Sequence, residues 1–353
     1  MSTEVMTMHK TVLEKRNIPS LLDREAMISV LLEEEYGNIP AKPKSMIWHI
    51  KEDIVKGFCA NKATYSQVTL HCDMNGTEFS FPFSCVIPKK DGKHPFFIHI
   101  NFRPDVPDRY MPTEELVDNG FAILSFCYQD VTSDNEDMTS GLSGVLYPDG
   151  KRKTNDPGKI AMWAWAAQRV MDYAETVEQL DTNNAIVCGH SRLGKTALLA
   201  AATDERFTFA HSNDSGCSGA AITRGKVGEQ VSDICHKFPY WFCENYLKYI
   251  DNEQNMPFDQ HFLVASIAPR CVSIGSAIED VWADPYSEML TCIAASSMYE
   301  RLGKKGFIYE NKEQKAGDIY QEGRIGYYVR EGTHYFSRED WHKLIHFIKK
   351  HKN

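Results

Sequence analysis

Apolar positions change their period several times along this chain, and each change marks an element. Residues 23–37, DREAMISVLLEEEYG, carry apolar side chains at helical spacing, which predicts a helix ending at Gly37. The Pro-containing IPAKPK then reads as a connector. From Tyr65 the pattern alternates. YSQVTLHC and TEFSFPFSCVIP flank Asn75-Gly76, which predicts a β-hairpin with a two-residue turn. HPFFIHINF (94–102) and FAILSFCY (121–128) are dense apolar runs suited to strands covered on both faces. A polar insertion, 129–157, ends in NDPG, where Asp156 can cap a helix and Pro157 can occupy its first turn. KIAMWAWAAQRVMDYAETV continues at helical spacing, with Trp163 and Trp165 expected in the core. AIVC (185–188) reads as a strand and RLGKTALLAAAT (192–203) as a helix. FTFAHSND (207–214) and RCVSIGSA (270–277) continue the alternation. GRIGYYVREG (323–332) is the last strand, and SREDWHKLIHFIKKH (337–351) is the last helix, with Ser337 and Asp340 in a capping pattern. A hairpin followed by alternating strands and helices predicts an α/β fold, a mostly parallel sheet with helices on both faces. Residues 1–60 are expected as an N-terminal extension packing on the core, and 61–353 as one catalytic domain.

Composition adds exclusions. With 353 residues, 42% hydrophobic and 25% charged, the chain can bury a sizeable core. A net charge of -9 argues against binding driven by a nucleic-acid backbone. No apolar run approaches the length of a membrane span. The stretch MSTEVMTMHKTVLEKRNIPS has no apolar signal region, so a cytoplasmic location is expected, or a secreted one if a leader was removed. Ten cysteines lack C-x-x-C pairs and clustering with histidine, and are expected as buried, reduced thiols, since no ligand spacing supports a zinc site or a disulfide framework.

One stretch bears two chemistries. GHSRLGKT fits the phosphate-cradling pattern through Gly189, Gly194, Lys195 and Thr196. It also fits a nucleophile elbow, because AIVC, GHS and the following helix supply a strand, a sharp turn through Ser191, and a helix. The phosphate reading needs a later apolar strand ending in a magnesium-holding Asp. His211-Ser212-Asn213 interrupt the one nearby candidate before Asp214. The elbow departs from G-x-S-x-G, since Leu193 takes the last glycine position and Gly194 comes one residue later.

A serine hydroxyl needs a base, and the base needs a carboxylate to set its tautomer. His334 lies between the last strand and the capped last helix, where an α/β hydrolase places its histidine. Asp280, after RCVSIGSA, and Asp214, after FTFAHSN, compete for the acid, with Glu279 a weaker candidate.

Together, GHSRLGK, SNDSGCSGAAITR, VGEQV, FPYWF, IAPR, EDVWADP and REGTHYFSREDW resemble the glucuronoyl esterases of carbohydrate esterase family 15, over about residues 90–350. The resemblance implies an α/β-hydrolase fold, a three-layer αβα sandwich without metal or organic cofactor. It implies hydrolysis of esters of (4-O-methyl-)glucuronate on xylan with an alcohol of lignin, with Ser191 as nucleophile and His334 as base. The family's acid is a Glu at the position of Asp214, an Asp at that of Asp280, or both; Asp214 is a methylene shorter, which makes Asp280 the first choice. Arg192 matches an oxyanion-stabilising arginine, and Lys195, Glu229 and Trp282 match residues that contact the uronate sugar. FPYWF has Tyr240 where a His is common, and NFRPDVPDRYMP lacks a frequent Gly-Asn-His. The implied partner is a small-molecule or oligosaccharide uronate ester. An acetylated sugar as substrate on the same triad, a nucleotide-dependent protein and a non-catalytic carbohydrate binder are the competing readings.

Overall fold

The computed structural model describes residues 7–74 and 76–352. Its centre is one ten-stranded sheet of β1 (Met46–Lys51), β2 (Ala63–Asp73), β3 (Glu78–Pro88), β4 (His94–Asn101), β5 (Ala122–Cys127), β6 (Leu180–His190), β7 (Phe209–Asn213), β8 (Cys271–Ala277), β9 (Ile319–Tyr320) and β10 (Ile325–Arg330). The order is β1-β2-β3-β5-β4-β6-β7-β8-β10-β9. β1, β2, β3 and β5 pair antiparallel; β5, β4, β6, β7, β8 and β10 pair parallel; β9 closes the far edge antiparallel. β5, β7, β8 and β10 are buried at every position, which is why their sequences do not alternate between apolar and solvated residues.

Helices cover both faces. Trp341, Leu344 and Phe347 of the helix Arg338–His351 pack with Phe97, Ile186 and Phe209 on one face. On the other, the helices Lys159–Ala174, Arg192–Thr203 and Pro285–Arg301 join a larger core that contains Trp163 and Trp165. Each indole also finds a carbonyl for its N–H, Thr132 and Ala41 respectively. Residues 7–36 lie along this second layer. Tyr36 is fully buried and donates to the Ser218 carbonyl, and Arg16 donates to Ser287 Oγ at 2.6 Å. The ten cysteines are free, and nine are buried. Among the described residues, no helix is long and apolar enough to cross a membrane.

Local departures from the sequence pattern have physical causes. The helix begun at Arg24 widens into a π-turn at Leu32–Tyr36 and stops before Gly37, whose φ is 80°. β1 was not foreseen: its exposed residues give no clean alternation, and only pairing with β2 makes it a strand. The hairpin pairs down to Asp73 and Glu78; Asn75 of its expected turn lies outside the described residues. The helix after the insertion starts at Lys159, not at Pro157. Asp156 caps no helix there; its Oδ2 accepts from Lys153 N and closes a turn instead. Gly158 follows because a Cβ there would lie 2.2 Å from the Trp241 carbonyl. The helix Pro285–Arg301 announces itself by a capping Asp284 and a proline in its first turn, a signal the hydrophobic pattern alone passes over.

Candidate active site

β6 runs out at His190, and the chain turns through Ser191 into the helix Arg192–Thr203. Ser191 has φ 58° and ψ −127°, a conformation that costs a non-glycine residue about 1–3 kcal/mol unless its surroundings impose it. They do so here. Ser191 N donates to the Asn213 carbonyl at 2.8 Å, and its own carbonyl accepts from Gly194 N at 2.9 Å. The displaced glycine also has a cause. A Cβ at Gly194 would lie 2.7 Å from Ser212 Oγ and 3.1 Å from Ser215 Cβ, so the close approach to β7 falls at 194. Leu193 meanwhile points into the core.

His334 sits in the loop after β10, and its Nδ1 is 2.6 Å from Asp280 Oδ2. A carboxylate at Nδ1 holds the proton there and leaves Nε2 as the acceptor. Asp280 is fixed by its place after β8, with Asp280 N donating to the Ala277 carbonyl at 3.0 Å. Asp214 lies close by, with a carboxylate oxygen within 4.8 Å of an Asp280 carboxylate oxygen and a His334 ring nitrogen, but its partners differ. Its Oδ1 accepts from Ala277 N at 2.7 Å, and its Oδ2 faces Arg330 Nη2 and Tyr335 N, each at 3.4 Å. Burial pushes the Asp214 carboxyl well above the usual range, Glu288, Asp340 and Asp280 push the same way, and Arg330 opposes them. Arg330 also binds both oxygens of Asp340 and the carbonyls of Glu331, Thr333 and Tyr335, so one guanidinium clamps the loop that carries His334. Behind His334, at 4.5 Å between ring centres, His190 is buried, which drives its imidazole toward the neutral form.

Ser191, His334, Asp280 and Asp214 line one cleft of about 360 Å3, together with Arg192, Lys195, Glu229, Trp282, Lys237, Phe238 and Trp241. Ser191 and His334 face that space without a hydrogen bond between them. The Arg192 guanidinium lies 4.5 Å above the Trp241 ring and pairs with Asp134. The Lys195 ammonium is buried and donates to the Ser215 and Cys217 carbonyls, 4.0 Å from Glu229 Oε2. It is therefore engaged by backbone oxygens at the point where a phosphate-cradling loop keeps its lysine free. Lys226 binds the carbonyls of Val227, Glu229 and Trp282, which ties Glu229 and Trp282 into one rim. Eight of the residues singled out in the sequence thus share the cleft; Glu279, the weaker acid candidate, does not line it and accepts from Gly332 N at 3.2 Å instead. Asp134, Lys237, Phe238 and Trp241 were not singled out. The last two stand in or beside FPYWF, whereas Asp134 is indistinguishable in sequence from the solvated acids around it. Glu288 was also missed: fully buried, it accepts from Gly216 N and Ser276 Oγ, and burial lifts its carboxyl to about 7.

A model of the family described as "Glucuronyl esterase, fungi" matches residues 70–303. The chain belongs to the glucuronoyl esterase family. Carbohydrate esterase MZ0003, from an unknown prokaryotic organism, is 38% identical over 243 residues, 67% of this chain and 55% of that protein. A 4-O-methyl-glucuronoyl methylesterase of Podospora anserina is 27% identical over 295 residues, 79% of this chain and 56% of that protein. The chain spans about half the length of these curated relatives. Among solved structures, a promiscuous CE15 esterase from a marine bacterial metagenome superposes with TM-score 0.82 at 30% identity, covering 93% of this chain and 91% of that one. The glucuronoyl esterase from Solibacter usitatus superposes with TM-score 0.84 at 30% identity, covering 92% and 91%. The family's α/β-hydrolase fold is the fold of this chain.

Proposed function

We propose that this protein is a serine-dependent carboxylic ester hydrolase acting on esters of (4-O-methyl-)glucuronic acid. The observation that carries the reading is the convergence, in one cleft, of a strained Ser191 and a His334 whose Nδ1 is held by Asp280. In this mechanism His334 Nε2 takes the Ser191 proton as Oγ attacks the ester carbonyl. The developing oxyanion meets the backbone N–H of Arg192, at the helix start where such groups lack intrahelical partners, and the Arg192 guanidinium. One such donor is worth about 3–4 kcal/mol. His334 then protonates the leaving alcohol. Water, activated by the same imidazole, releases the uronate and restores Ser191. Asp280 is the triad acid, and Asp214 is auxiliary, braced by Arg330. Lys195 and Glu229 meet sugar hydroxyls, and Trp282, half exposed at the rim, offers its face to the pyranose. Residues 7–60 act as a brace on the single catalytic domain.

Ser191→Ala is expected to abolish hydrolysis of methyl and benzyl glucuronate while leaving the melting temperature unchanged; full activity in that variant sinks the reading. A second reading, acetylated xylo-oligosaccharides on the same triad, gains support from the neighbour described as a promiscuous CE15 esterase. Comparing rates on methyl glucuronate and acetylated xylo-oligosaccharides separates the two.

A further inference from the structure

Lys159 is a fully buried cation that the chemistry above does not use. It opens the helix Lys159–Ala174, where the helix dipole disfavours positive charge. Lysine is almost never buried without a partner. Here it forms no salt bridge among the described residues. Its Nζ donates instead to three backbone carbonyls at alternate residues, Ser133 at 2.6 Å, Asn135 at 2.7 Å and Asp137 at 2.7 Å, with Ser133 Oγ at 3.0 Å. The segment 133–137 thus curls around the ammonium as a loop curls around a bound cation.

That loop carries Asp134, and Asp134 reaches two residues that line the cleft, Arg192 and Trp241. Its Oδ2 pairs with Arg192 Nη1 and accepts from Tyr128 OH at 2.7 Å; its Oδ1 accepts from Trp241 Nε1 at 2.8 Å. Trp241 is the ring beneath the Arg192 guanidinium. Tyr240 closes the circuit, with its ring 5.4 Å from Lys159 Nζ and its hydroxyl donating to the Asp134 carbonyl at 3.1 Å. Arg192 Nε is buried without a protein partner, so the guanidinium keeps a donor unspent.

We propose that Lys159 is a positioning residue: its ammonium serves as an internal cation that shapes the 133–137 loop and, through Asp134, holds the Arg192 guanidinium where the oxyanion develops. This rests on the esterase reading. Burial pushes the Lys159 ammonium down to about 8, Asp137 and Asp134 hold it up, and Arg152 opposes them. The Tyr240 ring also packs against it. The cage is therefore mostly charged at neutral pH and loses a donor as pH passes about 8.

The test compares Lys159→Met, Asp134→Asn and the double variant on methyl glucuronate. A misplaced transition-state group costs about 100-fold in rate. Each single variant is expected to lose about that in kcat with KM unchanged, which marks loss of an interaction made in the transition state. The double variant is expected to be no worse than Asp134→Asn, because both act through one arginine. Wild-type kcat in Lys159→Met, or losses that multiply in the double variant, overturns the proposal. If Lys159→Met does not fold, the wild-type pH profile decides: an alkaline fall in kcat near pH 8 that Asp134→Asn lacks supports it, and a wild-type profile flat through pH 8 overturns it. A wild-type protein inactive on methyl glucuronate, benzyl glucuronate and acetylated xylo-oligosaccharides overturns the esterase reading itself, a result distinct from either.

Discussion

Two buried cations each organise one loop beside the cleft. Arg330 clamps the loop of His334, and Lys159 clamps the loop of Asp134. Arg330 lies between two buried carboxylates, Asp214 and Asp340. Burial works against its charge, but Asp340 and Asp214 outweigh burial and raise it further. Lys159 has carbonyls for partners, and burial wins. A carbonyl offers a dipole where a carboxylate offers a full charge, and desolvation of an ammonium exceeds what dipoles return. The Arg330 clamp thereby keeps its charge, whereas the Lys159 clamp can lose its own as pH rises.

The comparison breaks most sharply at the acid. Asp280→Asn places the wrong tautomer at His334, for which about a 10⁴-fold loss in kcat is the precedent in a serine hydrolase triad. Asp214→Asn leaves the His334–Asp280 bond in place and should cost far less, so equal losses in the two variants would reverse their roles. Next comes the clamp. Arg330→Met strands two buried carboxylates and is expected to destabilise the fold by about 3–5 kcal/mol, read from urea unfolding. Lys159→Met removes one cation from neutral partners and should fall well short of that; similar losses would erase the distinction. Gly194→Ala is a smaller probe of the elbow. The new methyl meets Ser212 and Ser215 and should cost about 1–3 kcal/mol, whereas Leu193→Gly cannot improve the turn because residue 193 packs in the core.

The smallest effect is a pH trend. The Lys159 pKa is lower folded than unfolded, so above pH 8 the unfolded chain binds more protons and stability rises with pH until about 10.4, the value for a free lysine. Over that window wild type should gain stability relative to Lys159→Met. Two buried carboxyls run the other way: Glu35, held near 8 by burial, and Glu288, near 7, bind more protons folded than unfolded. Stability should therefore decline from about pH 4.5 to 8, and Glu35→Gln should flatten that decline. A constant melting-temperature difference across pH would remove the assigned cause in either case.

Much of the frame was readable from residue pattern alone. The strand AIVC, the turn at GHS and the helix after it are contiguous, so periodicity and a glycine sufficed to put Ser191 at a strand-to-helix corner. The Ser337–Asp340 capping box likewise lies within four residues. The pattern misled where a neighbour distant in sequence intervened. Asp156 looks like a cap, yet the approach of Trp241 and Phe242 moves the helix start to Lys159. β1 and β9 are edge strands whose identity comes from their partners.

What the linear order of residues determined by itself is the succession of strands and helices, the hydroxyl at 191 on its corner, and the imaginable set of acids and bases, because each depends on interactions within a few residues. Tertiary structure alone decided that Asp280, 54 residues from His334, is the carboxylate bonded to it, that Asp214 is given over to Arg330, 116 residues away, and that Asp134 pairs with Arg192, 58 residues further on. Charge partners of that kind are selected by burial and by the few ångströms between side chains, and neither quantity is written in local spacing.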